Sequence, residues 1–150
     1  MRIIGGKYRG RVLTGFKGWD IRPTSDRVKE SLFNILAPEI SGANVLDLFC
    51  GSGSVGLEAI SRGADLVVFN DASKDSLAVL KKNLALIGAS APVYNLGEEA
   101  LRLIASRRLL NTGGVAVLES DKPFAGEISD LVRYDERKYG IAYLTFFSPD

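Results

Sequence analysis

One stretch, Asp47-Leu48-Phe49-Cys50-Gly51-Ser52-Gly53-Ser54-Val55-Gly56, combines residue types and spacing that can do chemistry. Asp47 lies in a short apolar run, Val45 to Phe49, which reads as a buried strand. The glycines let the backbone turn sharply and let a ligand come close. A helix starting at Ser54 aims its free amides and positive dipole end at whatever occupies the turn. A second carboxylate, Asp71, ends the next apolar run, 20 residues after Gly51. That spacing lets it bind two ribose hydroxyls, so the set points to an adenosine-containing ligand; the bland reading is a glycine turn that only packs strand on helix. Gly51, Gly53 and Gly56 also satisfy the G-x-G-x-x-G pattern of dinucleotide sites. Asp47 argues the other way. A carboxylate at the carboxyl end of the strand repels a pyrophosphate and suits a cationic amino-acid moiety. S-adenosyl-L-methionine carries such an ammonium group and no phosphate. It is the preferred ligand, with NAD and an oxidoreductase as the rival reading. Cys50 has no basic neighbour in sequence and reads as a packing residue.

The elements around this turn alternate. Leu66 to Phe69 reads as a second strand, Ser73 to Ile87 as a helix closed by Gly88, and Pro92 to Tyr94 as a third strand. Glu98 to Leu110 reads as a helix and Val115 to Leu118 as a strand, and Val132 to Phe147 as a final hairpin. Such alternation with apolar strands implies an α/β fold, a parallel sheet covered by helices on both faces with an antiparallel edge. Upstream, Ile3-Ile4 through Leu13 reads as a small hairpin. Thr24 or Ser25 then caps a helix running to about Leu36, which Pro38 and Ser41-Gly42 end.

Composition narrows the chemistry. The 150 residues are 46% apolar and 25% charged, as in an ordinary globular domain. There is no histidine and one cysteine, which excludes imidazole-based triads, a disulfide framework and cysteine zinc clusters, so no metal is expected. No run of 18 uncharged apolar residues exists and Met1 to Gly6 has no signal-like core, so a cytoplasmic protein without a membrane partner is expected, as a monomer. The net charge of +1 is uneven. Residues 1–29 hold eight basic and two acidic side chains, interleaved with Tyr8, Phe16 and Trp19, which suits a nucleic acid.

These residues carry a family resemblance. Asp47 to Gly53 resembles motif I of class I methyltransferases. Arg2-Ile3-Ile4-Gly5-Gly6-Lys7-Tyr8-Arg9-Gly10-Arg11 and the block from Arg22-Pro23-Thr24-Ser25-Asp26-Arg27 to Leu36 are similar to the RsmD-like family, as is the tail Arg137 to Phe147. The resemblance implies a Rossmann-like class I methyltransferase sheet with an antiparallel C-terminal hairpin and a small basic N-terminal hairpin. It implies methyl transfer from S-adenosyl-L-methionine to N2 of a guanine in small-subunit (16S) ribosomal RNA. Asp47, Phe49, Gly51, Ser52 and Gly53 would then hold the cofactor, Asp71 its ribose, and Thr24 and Arg27 would close over its methionine end. Arg2, Lys7, Arg9, Arg11, Arg22 and Lys29 would grip ribosomal RNA, alone or in the small subunit. Residues 1–42 would form the RNA-binding extension and 43–150 the cofactor-binding domain.

The sequence departs from the family at one place. The catalytic motif, Asp or Asn followed by Pro-Pro and Tyr or Phe, is absent, for no Pro-Pro pair occurs. Its place in the family pattern falls between Asn95 and Leu96, where a helix, a strand and the catalytic loop, roughly 30 residues, have no counterpart. A non-catalytic relative that binds RNA or the cofactor is therefore a second reading.

Overall fold

The computed structural model describes residues 1–16, 24–95, 110–120, 122–128 and 130–149. The chain divides into two compact units, Met1–Gly97 and Glu98–Asp150. The basic leader belongs to the first unit together with the glycine turn.

In the first unit, helices α1 (Asp26–Ile35) and α2 (Ala37–Ile40) precede strand β1 (Asn44–Asp47), helix α3 (Ser54–Ser61), strand β2 (Leu66–Asn70), helix α4 (Lys74–Leu86) and strand β3 (Val93–Tyr94). The three strands form a parallel sheet in the order β1-β2-β3, with Asp47 opposite Phe69 and Phe69 opposite Val93. Parallel neighbours need a crossover, and α3 and α4 supply the two. Buried Leu57, Phe69, Leu80, Leu84 and Ile87 form the core between these elements. The Ser25 hydroxyl accepts from the Val28 amide at 3.2 Å and starts α1. α1 ends at Ile35, next to the expected Leu36, but one further helical turn, α2, follows before Ser41. Pro38 lies in the first turn of α2, where a missing N–H costs nothing.

The leader is a hairpin bolted to α3. Across it the Ile3 amide donates to the Arg11 carbonyl and the Leu13 amide to the Met1 carbonyl, and Ile3 and Leu13 are buried. The Glu58 carboxylate, fully buried, accepts from the amides of Ile4 (2.9 Å) and Gly5 (2.8 Å). Ser61 takes the Lys7 amide on its carbonyl and the Tyr8 amide on its hydroxyl.

Lys29 corrects an expectation. It is not an exposed RNA contact but a fully buried cation. Its Nζ donates to the Arg2 carbonyl (2.6 Å) and Ser54 Oγ (3.2 Å) and lies 3.7 Å from Glu58 Oε2. It occupies the buried stripe of α1 with Val28, Leu32 and Phe33. Burial pulls its pKa down from the usual lysine value, opposed by Glu58 and Asp26.

In the second unit, strands β4 (Ala116–Ser120), β5 (Leu131–Tyr139) and β6 (Ala142–Pro149) form an antiparallel sheet in the order β4-β6-β5. β5 and β6 are the expected hairpin, with Tyr139 opposite Ala142. The expected helix from Glu98 to Leu110 lies, but for Leu110, outside the described residues. Among the described residues, β1 pairs only with β2 and β4 only with β6, so each sheet ends on one of them.

Candidate functional site

The turn after β1 is held in place by side chains from β2 and α4. The Asn70 side-chain amide donates to the Leu48 carbonyl at 2.9 Å, and the Cys50 amide donates to the Asn70 carbonyl. Asn83 on α4 donates to the Ser52 carbonyl at 2.9 Å. Gly53 then starts α3 from a left-handed backbone, φ +83°, where a Cβ would stand 2.3 Å from Leu80 Cδ1. Gly56 is needed for a different reason. A Cβ there would lie 2.3 Å from the buried Phe69 ring and 3.1 Å from Asp47 Oδ2. The G-x-G-x-x-G spacing thus reflects one turn and one close helix–strand approach.

The two carboxylates stand at neighbouring strand ends. Asp71 Oδ2 accepts from the Gly51 amide and Oδ1 from the Ser73 amide, each at 2.8 Å. Asn95 Nδ2 donates to the carbonyls of Asp71 and Ala72 and holds that bend. Asp47 Oδ2 accepts from the Gly56 amide at 2.9 Å. Burial pushes the Asp47 carboxyl up to about 6; the Gly56 amide opposes this and the Asp71 charge adds to it. Burial, with Asp47 and Asp71 nearby, also pushes the Cys50 thiol up to about 12, so it keeps its proton and packs.

The donor set fits a cationic, phosphate-free adenosine ligand. Two carboxylates converge on one turn, and the cation beside it, Lys29 on Ser54 Oγ, is fully buried and paired with Glu58, so it does not offer itself to a pyrophosphate. A carboxylate whose pKa is raised by burial and by a like charge gains by meeting a cation. Phe49 is 63% exposed at the mouth of the turn. Ser52 is in the turn, but its buried hydroxyl donates to Met1 Sδ at 3.4 Å, so its side chain serves the leader. Arg27 is exposed and Thr24 half-buried ahead of α1. On the leader, Arg2, Lys7, Arg9 and Arg11 are exposed, with Arg2 paired to Asp26 at 3.4 Å. Arg22 lies outside the described residues.

The family model described as conserved hypothetical protein 95 matches residues 1–99. The chain belongs to this family, the RsmD family. It is 48% identical over 153 residues to ribosomal RNA small subunit methyltransferase D of Haemophilus influenzae, covering 81% of this chain and 79% of that protein. It is 43% identical over 110 residues to Bacillus subtilis YlbH, covering 71% of this chain and 60% of that protein. Among solved structures, Escherichia coli yhhF, titled a methyltransferase, superimposes with a TM-score of 0.82 at 30% identity, covering 100% of this chain and 98% of that one. These neighbours establish the class I, Rossmann-like methyltransferase fold. The chain spans about 60% of the length of the Bacillus relative it matches. In the Haemophilus alignment, 81% of 150 residues is about 122, so about 31 of the 153 aligned positions have no counterpart in this chain.

Sequence reasoning missed Asn83 and Glu58, both fully buried. The signal for Asn83 was present, a polar residue in the stripe formed by Leu77, Leu80 and Leu84. Among the described residues no cluster of His, Cys, Asp or Glu can hold a metal, and no helix is long and apolar enough to cross a membrane.

Proposed function

We propose that this chain binds S-adenosyl-L-methionine at the turn between β1 and α3 and serves methyl transfer to N2 of a guanine in small-subunit ribosomal RNA. The observation that carries the reading is the pair of carboxylates, Asp47 and Asp71, held by Gly56 and Gly51 amides at adjacent strand ends. In this reading Asp47 receives the ammonium group and Asp71 the ribose hydroxyls, with Gly51 giving close backbone approach and Gly53 turning the chain into α3 beside the ligand. Phe49, Thr24 and Arg27 border the ligand, and Ser52 supports the turn from behind. When bound, the cofactor supplies an electrophilic methyl group; the chain's part is to bind and orient it. Arg2, Lys7, Arg9, Arg11 and Arg22 attract the phosphates of ribosomal RNA, free or in the small subunit. The protein acts in the cytoplasm, as a monomer, without a metal.

An exocyclic amine delocalises its lone pair into the ring, so transfer to it needs acceptors for its two protons and a surface on which the base stacks. The family's Asp/Asn-Pro-Pro-Tyr/Phe motif provides both, and no such motif is in this sequence. The roughly 31 unmatched positions of the Haemophilus relative agree in number with the segment that the family pattern puts between Asn95 and Leu96. Among the described residues β1 is an edge of its sheet, which leaves its outer side open to a further strand.

Thermal unfolding with S-adenosylhomocysteine, S-adenosyl-L-methionine and NAD tests the cofactor reading, because a ligand that binds only the folded state raises the melting temperature. A shift with the two adenosyl compounds, lost in Asp71→Ala, is expected. A shift with NAD alone overturns it. Labelled methyl transfer to small ribosomal subunits tests the rest. The chain as written is expected to be inactive, and a version carrying the relative's unmatched segment between Asn95 and Leu96 active.

A further inference from the structure

Asn83 has a bonding pattern that the cofactor reading does not use. Its Nδ2 donates to the Thr14 carbonyl at 3.0 Å as well as to the Ser52 carbonyl, and its Oδ1 accepts from the Thr14 amide at 2.7 Å. One buried amide thus grips both backbone groups of a leader residue and the turn that faces the ligand. A buried amide with every bond made fixes geometry, and one left half-satisfied is costly. A further contact joins the leader to the turn, for Ser52 Oγ donates to Met1 Sδ. The exposed cations Arg2, Lys7, Arg9 and Arg11 are carried by this same leader.

We infer that Asn83 is a positioning residue that clamps the basic leader to the cofactor turn, so that a ligand ordering one orders the other. The inference rests on the cofactor reading above. Coupling of this kind is reciprocal. An adenosyl compound in the turn therefore favours a polyanion on the leader, and the polyanion favours the adenosyl compound.

Hydrogen exchange at the Ile3, Leu13 and Thr14 amides tests it, with and without saturating S-adenosylhomocysteine, beside a calorimetric titration of the same compound. In the wild type the compound is expected to slow these amides about fivefold or more, the lower end of measured couplings. Asn83→Asp keeps the acceptor for the Thr14 amide but sets a carboxylate against the Ser52 carbonyl. It is expected to bind the compound more weakly and, at saturation, to lose the leader's response. A merely structural role changes exchange equally in the free and bound states and leaves their ratio alone. Binding without slowing in the wild type, or an unchanged ratio in Asn83→Asp, overturns the inference. The wild-type ratio decides even if the variant does not fold. No calorimetric binding in the wild type overturns the cofactor reading instead.

Discussion

Asp47→Asn is expected to make the folded protein more stable at neutral pH while weakening its hold on the cofactor. Asp47 is raised from 3.8 to about 6. The folded state therefore binds the proton more tightly than the unfolded chain. Its stability contribution is whole below about pH 4, is lost as pH rises toward 6, and stays lost above that. Two units correspond to about 3 kcal/mol. Asp47 is half-buried, so solvent screening reduces this to about 1–2 kcal/mol. Asparagine keeps an acceptor for the Gly56 amide and carries no charge. Urea denaturation of both proteins from pH 4 to 8 isolates the effect, since the other carboxylates cancel in the difference. The variant should gain about 1–2 kcal/mol over the wild type between pH 4 and 7.5. Cofactor affinity should move the opposite way. Losing a charged hydrogen bond costs about 1.5–3 kcal/mol, tenfold or more in Kd. Wild-type affinity should itself fall about tenfold from pH 7.5 to 5, as Asp47 takes up its proton, and the variant's should be flatter. Parallel stability curves, or a less stable variant at pH 7.5, would refute the argument that Asp47 is held charged against its environment.

Three further outcomes are expected. Gly56→Ala drives a methyl into the Phe69 ring and should cost about 1–3 kcal/mol in urea denaturation; a neutral result would mean that helix and strand separate freely. Glu58→Gln leaves Lys29 buried with its close counter-charge gone and should cost about 3–5 kcal/mol. Lys29→Met should rescue part of that loss in the double variant, and simple additivity would show that the two do not interact. Arg9→Ala and Arg11→Ala should each lower the slope of log affinity against log salt for ribosomal RNA by about 0.7–1. Lys29→Met should leave that slope alone; a drop equal to the arginines' would restore Lys29 as an RNA contact.

The glycine turn, the cap at Ser25, the strand–helix alternation and the closing hairpin were legible because each is local. They rest on a residue type, its neighbours along the chain, or a period of 2 or 3.6. The two carboxylates were legible for the same reason, since parallel strands joined by short helices put their ends side by side. The charge of Lys29 was equally visible, but its meaning was not. Whether a cation faces phosphate or lies in the core depends on Glu58, 29 residues further along the chain and brought to 3.7 Å only by the fold. Asn83 is the same case, since its partners at Thr14 and Ser52 are 69 and 31 residues away in sequence. Sequence alone determined which groups can do chemistry and their order along the backbone. Tertiary structure decided which of them meet water and which meet each other, because burial and long-range hydrogen bonding are properties of packed surfaces rather than of neighbouring residues.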